Sequence, residues 1–188
     1  MFVRSIFVTV ISLWLCATAQ AGELQDIAAR AETEMKGGEH VKAVETMREA
    51  LYVLWGKSPL HFRRAFFVSQ KASGFGVFEK RQSNQFKQGE PLLIYAEPVG
   101  YGWRQDGAVY QSELAADFEL RKPKGNILGG QKDFAAFNFK SYDRNTEYFM
   151  NLTYNLSGLP AGKYVIGTRF RDKVSGKTES FDLPFEIK

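Results

Sequence analysis

The fold is decided by residues 158–188, which begin GLPAGKY and continue as an alternating run to Lys188. Pro160 fixes its own φ and the flanking glycines allow positive φ, so the opening residues predict a tight turn. After the turn come two segments in which apolar and polar residues alternate, as they do in strands with one buried face. The residues predicted to face inward are Tyr164, Ile166, Thr168, Phe170, Phe181, Leu183, Phe185 and Ile187. The end of the chain is therefore predicted to be an antiparallel hairpin.

The segment 159–164, LPAGKY, resembles the corner before the penultimate strand of fibronectin type III and other immunoglobulin-like domains. In those families a tyrosine hydroxyl at this corner bonds back to a nearby backbone group. The resemblance therefore implies that Tyr164 is a structural corner residue. The cysteine-tryptophan-cysteine core of antibody domains is absent from the sequence.

Further alternating segments precede this hairpin, and together they predict about seven or eight strands. Residues 92–96 are continuously apolar, which predicts a strand buried on both faces, with the helices as a candidate cover. The predicted fold is mainly β. It is an immunoglobulin-like antiparallel β-sandwich over residues 57–188, preceded by a two-helix segment at 22–56.

The two-helix segment 22–56 contains no proline and shows helical periodicity on both sides of Gly37 and Gly38. The predicted apolar stripes are Leu24, Ile27, Ala28, Ala31 and Met35, then Val44, Met47, Leu51 and Leu54. The segment also resembles a single tetratricopeptide unit, through Gly38, Ala43, Met47, Ala50 and Leu51. One such unit cannot bury its own apolar face. We expect the hairpin to lie on its own sandwich, and the alternative is packing on another protein.

Residues 1–21 have the pattern of a secretory signal peptide. Arg4 precedes an apolar run from Ile6 to Ala17, and Ala19 and Ala21 supply a small-x-small cleavage site. Cleavage after Ala21 would remove Cys16, the only cysteine, and would leave no integral membrane span. This predicts a periplasmic or secreted protein.

Charge is unevenly distributed along the chain. Acidic residues outnumber basic ones in 22–56, whereas basic residues dominate 57–87. The basic segment is suited to an anionic surface, and its more ordinary role would be to pair with the acidic hairpin.

Residues with catalytic or metal-binding chemistry are sparse. His40 and His61 have no second histidine or cysteine at metal-ligand spacing, and no nucleophile motif or phosphate loop is present. We therefore predict no catalytic residues, no metal, no cofactor and no enzymatic activity. Nucleic acid is not expected as a partner, because an exported chain without base-stacking motifs lacks the usual features.

The loop 99–111 is the best binding candidate in the sequence. Its candidate residues, interleaved with glycines, are Tyr101, Trp103, Arg104, Asp106 and Tyr110. An exposed tip of this kind could stack on sugar rings or anchor a protein partner. The alternative, which we favour, is that 105–107 is a plain turn and the aromatic rings fold back onto the sandwich.

These features together predict a non-enzymatic, exported binding or assembly module of the cell envelope, with an envelope protein or polysaccharide as its partner. The alternative is a carbohydrate-binding accessory protein that uses the loop 99–111. A hydrolase ranks last, because no nucleophile can be paired with a base.

Overall fold

A computed structural model describes residues 22–188. The predicted signal peptide, with Cys16, lies outside the described residues. The chain divides into two compact units, the first ending at Ala50 and the second beginning at Leu51. The elements are α1 Glu23–Lys36, α2 His40–Lys57, β1 His61–Phe67, β2 Gln85–Phe86, β3 Leu92–Val99, β4 Arg104–Asp106, β5 Val109–Arg121, β6 Ile127–Ser141, β7 Met150–Tyr154, β8 Gly162–Asp172 and β9 Thr178–Ile187.

The first unit is a helical hairpin. Gly38 follows α1 with φ of 81°, a conformation that glycine adopts without steric cost and that commonly ends helices. The Thr46 hydroxyl of α2 donates a 2.7 Å hydrogen bond to the buried Glu34 carboxylate of α1. Small buried side chains, Ala31 and Ala43, lie near this contact in sequence and let the helix backbones approach closely.

The buried face of α2 differs from the predicted stripe. Val44, Met47, Leu51 and Leu54 are 41 to 53% exposed, whereas Ala43, Thr46 and Ala50 are buried. Both rows have helical spacing and lie side by side on the helix, so periodicity alone does not say which row packs. The prediction that the hairpin lies on its own sandwich remains a prediction.

The strands of the second unit form two sheets. One sheet has the order β1-β3-β7, and the other has the order β2-β9-β8-β5-β4, with β6 pairing β5. All pairs are antiparallel except β2 with β9, which is parallel. The sheets curl towards a half-barrel. The predicted mainly β class with two N-terminal helices is confirmed.

The main core contains side chains from both sheets. Tyr164, Ile166 and Phe170 of β8 are buried together with Leu92 and Ile94 of β3, each at most 1% exposed. On β9, Phe185 and Ile187 complete the inward row that the alternation of 158–188 predicts. The chain-terminal hairpin therefore supplies much of the core.

The outer side of β3 is also covered. Tyr95 is fully buried there and contacts the rings of Phe66, Phe78 and Phe149. The segment 68–84 crosses this side, and its Gly76 amide donates a 2.8 Å hydrogen bond to the Tyr95 hydroxyl. Residues 92–96 are therefore buried on both faces, and this segment forms part of their cover.

Candidate functional site

The loop 99–111 begins with a backbone that is pressed against residues 58–59, just after α2. Gly100 has φ of 76°, and a Cβ built on it would lie 2.1 Å from the Pro59 carbonyl oxygen. Only glycine fits such an approach. The loop then enters β4, which pairs with β5 across a turn at Gly107. Most of the loop is therefore a tight hairpin and not a mobile tip.

The first two aromatic residues of the loop fold back onto the protein. Tyr101 is 1% exposed, and its hydroxyl donates a 2.6 Å hydrogen bond to the Asn145 carbonyl. Burial raises the pKa of Tyr101. Trp103 stacks on Trp55 with ring centroids 5.4 Å apart. Tyr101 therefore offers no exposed ring to a ligand, in contrast to its prediction as a surface binding residue.

The two charged candidates of the loop, Arg104 and Asp106, are engaged within the β4-β5 hairpin. Arg104 pairs with the Glu113 carboxylate and donates a 3.2 Å hydrogen bond to the Gln111 side chain. Asp106 accepts a 2.7 Å hydrogen bond from the same Gln111 side chain. These two residues shape the hairpin and lie outside the cleft lining described next.

A cleft of about 480 Å³ opens between the loop and the end of α2. Its lining residues are Tyr52, Gly56, Tyr101, Gly102, Trp103, Gln105, Tyr110, Arg144, Val174, Ser175 and Lys177. The cleft contains Trp103 and Tyr110, two of the candidate residues of the loop, together with Tyr52 and Arg144. Its volume is in the range of small-molecule sites.

Arg144 is the exposed cation of the cleft. Its guanidinium carbon lies 5.0 Å from the centre of the Tyr52 ring and 5.4 Å from that of Tyr110. These distances suit cation-π attraction. Among the described residues, Arg144 has no carboxylate or hydrogen-bonded partner besides these rings. Its N–H groups therefore remain free to donate to a ligand.

Lys177 and Asp172 hold the cleft walls in place. The Lys177 ammonium donates to the carbonyls of Gly56, Ser58 and Gly100, at 3.1, 2.7 and 2.9 Å. The buried Asp172 carboxylate accepts a 2.6 Å hydrogen bond from the Gly102 amide. A cation near the carbonyl end of a helix is favourable. The end of α2, the loop and the β8-β9 turn are thereby joined.

A second groove, of about 590 Å³, lies along β5, β6, β8 and β9. Two of its lining carboxylates are paired: Asp182 contacts Arg121, and Asp117 contacts Arg171, which lies outside the lining, at 2.6 Å. The hydrogen bond from Arg171 lowers the pKa of Asp117. This groove is the weaker candidate, because three acidic residues, Asp117, Glu119 and Asp182, line it beside its three cations, and Phe118 is its single aromatic lining residue.

Sequence reasoning did not find Tyr52 or Arg144 as cleft residues. The available signal for Tyr52 is its spacing from Trp55, which places two large aromatic rings at the end of a helix just before a linker. No local pattern marks Arg144, which follows β6 and reaches the cleft only through the fold.

Within 22–188, no group of three or more His, Cys, Asp or Glu residues is arranged to hold a metal ion. Neither helix in this part of the chain is long and apolar enough to cross a membrane.

Comparisons with known proteins give little support for an assignment. No protein-family model matches the chain, and no curated protein matches it. Among solved structures it is similar to the Pseudomonas fluorescens alkylpurine DNA glycosylase AlkC bound to DNA containing an abasic site analog. The identity is 10% and the TM-score is 0.38, over 86% of this chain and 42% of that chain. A likeness this weak assigns no activity to this chain.

That structure is a DNA-bound enzyme, and the sequence predictions of function and partner do not agree with it. The prediction of a non-enzymatic binding or assembly module of the cell envelope, with its carbohydrate-binding alternative, is not supported by the comparisons and is withdrawn. The partner prediction, which named an envelope protein or polysaccharide and excluded nucleic acid, is likewise not supported and is withdrawn. Nothing found supports a secreted protein-binding module, or the absence of enzymatic activity. The periplasmic or secreted compartment stays a prediction.

Proposed function

We propose that the strands form an immunoglobulin-like β-sandwich whose aromatic cleft binds a nucleobase-containing phosphate ester. The strand order supports the fold: β9, β8, β5 and β6 are neighbours in one sheet, and β1, β3 and β7 form the other. The parallel pairing of β2 with the last strand gives one sheet an extra edge strand. The Tyr164 hydroxyl also donates a 2.8 Å hydrogen bond to the Pro160 carbonyl, as a corner tyrosine would.

Tyr164→Phe is expected to lower the free energy of unfolding by about 0.5 to 1.5 kcal/mol, because it removes one hydrogen bond, whereas the carbonyl of the exposed Pro160 can bind water instead. The ring would keep its stacking on Phe185, so the protein should still fold. Denaturant unfolding measures the change. Tyr142→Phe is the matched control, since the Tyr142 side chain is 78% exposed. Equal midpoints for Tyr164→Phe and the wild type would argue against a corner tyrosine.

The proposed ligand class follows from the aromatic walls of the cleft. Tyr52, Trp103 and Tyr110 are all partly buried, so each ring is held by packing while part of it stays open. Stacking of a nucleobase on an aromatic side chain contributes about 1 to 3 kcal/mol. A ligand with a planar ring, such as a nucleobase, therefore suits this surface.

The charge of the cleft selects an anionic ligand. Arg144 and Lys177 bring two cations to the lining, and no acidic residue lines the cleft. The nearby carboxylate of Asp172 is already satisfied by backbone amides. A guanidinium can bind a phosphate through two parallel hydrogen bonds. The single observation that carries the proposal is Arg144, exposed between two tyrosine rings without an acidic partner.

The proposal is tested by titrating the protein with thymidine monophosphate, a single-stranded thymidine oligonucleotide and inorganic phosphate, while following tryptophan fluorescence. We expect saturable binding of a thymidine compound with a Kd below about 1 mM, which corresponds to about −4 kcal/mol. Arg144→Gln should weaken this binding about tenfold or more, since one charge-assisted contact exceeds 1.4 kcal/mol. Tighter binding of the oligonucleotide would identify a single strand as the ligand, and equal binding a free nucleotide.

Arg169→Gln is the matched control for this experiment. Arg169 is an exposed arginine of β8 that lines the other groove and not the cleft, so its replacement should leave the Kd unchanged. The proposal is overturned if neither thymidine compound gives saturable binding. Equal losses in the two arginine variants would also overturn it, because they would indicate attraction to net charge alone.

A further inference from the structure

The strand β6 ends the larger sheet with a free edge. It is 15 residues long and pairs with β5 on one side only, and within residues 22–188 no strand covers its other side. A free edge presents unpaired N–H and C=O groups that can pair with another strand. Natural proteins usually protect such edges with charges, proline, bulges or short length.

The protection of this edge is confined to one part of the strand. Between the pairs Ala116 with Ala135 and Phe118 with Gln131, residues 132–134 bulge out of register opposite Asp117. Asp133 has φ of 50° there, and its amide donates a 2.7 Å hydrogen bond to the Asp117 carboxylate. The bulge interrupts the edge before residue 135. Residues 134–139, FAAFNF, contain no charge and no proline.

We propose that residues 135–139 of β6 pair antiparallel with the same residues of a second copy of this chain. In a two-fold pair of this kind, the core-facing side chains of both copies lie on the same face of the joined sheet. Each core-facing residue is therefore opposite a core-facing residue of the other copy. Phe137 and Phe139 pack on the core, whereas Ala136 and Asn138 are exposed. Pairing would therefore extend one continuous sheet through both copies.

Charge and side-chain size select the register. Centred on Phe137, the pairing sets Ala135 opposite Phe139 and Ala136 opposite Asn138, so a small residue meets a larger one each time. No like charges then face each other. Centring on Ala136 would bring Lys140 of one copy towards the bulge that carries Lys132 of the other, and like charges close to each other are destabilising. Centring on Asn138 would carry Asp133 towards Asp143 of the other copy. The Phe137-centred register is therefore the one that we infer.

Cysteine cross-linking tests this register in the full chain with Cys16→Ser. A mixture of chains carrying Ala136→Cys and chains carrying Asn138→Cys should form a disulfide-linked heterodimer under mild oxidation, because these positions are directly opposite. Each chain alone should give little product, because its own cysteines are displaced by two residues along the strand. Efficient self-linking of either single variant would overturn the proposed register.

Sedimentation tests the association itself. The wild type should show a monomer-dimer equilibrium, and Asn138→Lys should shift it to monomer, because a lysine at the centre of a paired edge opposes association. Asn138 is exposed, so the variant should fold, which circular dichroism checks. Thr178→Lys, at an exposed position of β9, is the matched control and should leave the dimer unchanged. A wild type that remains monomeric at every concentration would overturn the proposal.

Discussion

Trp103→Ala is expected to lower the free energy of unfolding by about 3 to 5 kcal/mol, as large-to-small substitutions in packed aromatic clusters do. The Trp103 ring stacks on Trp55 and meets the rings of Tyr52 and Tyr101 at 5.7 Å. Its indole N–H donates a 3.2 Å hydrogen bond to the Asn145 carbonyl. Removal of the ring leaves a cavity, and the Asn145 carbonyl keeps its hydrogen bond from the Tyr101 hydroxyl, so most of the loss comes from packing. Denaturant unfolding monitored by circular dichroism measures the loss.

The matched control for Trp103 is Tyr142→Ala. The Tyr142 side chain is 78% exposed, so its removal should change stability by no more than about 0.5 kcal/mol. A similarly small change for Trp103→Ala would mean that its ring is exposed to solvent, as an open sugar-stacking loop would require. A large loss would agree with the observed packing on Trp55.

The chain-terminal hairpin was predictable because its information is local. Alternation with period two specifies a strand and also says which residues share a face. Tyr164, Ile166 and Phe170 are buried as the alternation indicates, and the turn before them has the glycine and proline that it needs. When a strand has one buried face, its sequence therefore indicates which side chains point towards the core.

The helix α2 was less predictable because two candidate faces compete. Val44, Met47 and Leu51 are the larger apolar side chains, yet Ala43 and Ala50 are the buried ones. The hydrophobic effect favours burial of the larger side chains, whereas close approach of two helices favours burial of the alanines. Local periodicity does not rank these effects, because the outcome depends on how α1 packs against α2, which the pattern within α2 does not specify.

The aromatic cleft depended on contacts that no local pattern encodes. Tyr52 lies in α2, Tyr110 in β5 and Arg144 after β6, so only the fold brings them together. The sequence marked Trp103 and Tyr110 as candidates through their glycine-flanked loop. It did not indicate that Tyr101 is buried, since a buried and an exposed tyrosine beside glycine look alike in sequence.

Glu97 is the best-buried carboxylate among the described residues, and its partners come from two neighbouring strands. It is 1% exposed and accepts hydrogen bonds from Arg63 at 2.7 Å, Arg64 at 2.9 Å and the Tyr95 hydroxyl at 2.6 Å. Burial alone would raise the pKa of Glu97, but the hydrogen bonds from Tyr95, Arg63 and Arg64 outweigh it and lower the pKa below its ordinary value of 4.5.

Glu97→Gln is expected to destabilise the protein by about 3 kcal/mol at neutral pH. This is the low end of the cost of breaking a buried ion pair, because the two arginines are half-exposed and can turn to solvent. Glu45→Gln is the matched control, since Glu45 pairs with Arg48 at the surface and both side chains are exposed. Its replacement should cost at most about 0.5 kcal/mol.

The pH dependence distinguishes a charge effect from a packing effect at Glu97. A carboxylate whose pKa is lowered by folding stabilises the protein above its unfolded pKa, and this stabilisation is lost as the pH falls through the folded pKa. The stability difference between the wild type and Glu97→Gln should therefore be constant near neutral pH and shrink below 4.5, the ordinary value. Asp117 and Glu186 also have lowered pKa values, but they are present in both proteins, so their contributions cancel in the stability difference. A difference that stays constant down to strongly acidic pH would mean that Glu97 acts through shape and not through its charge.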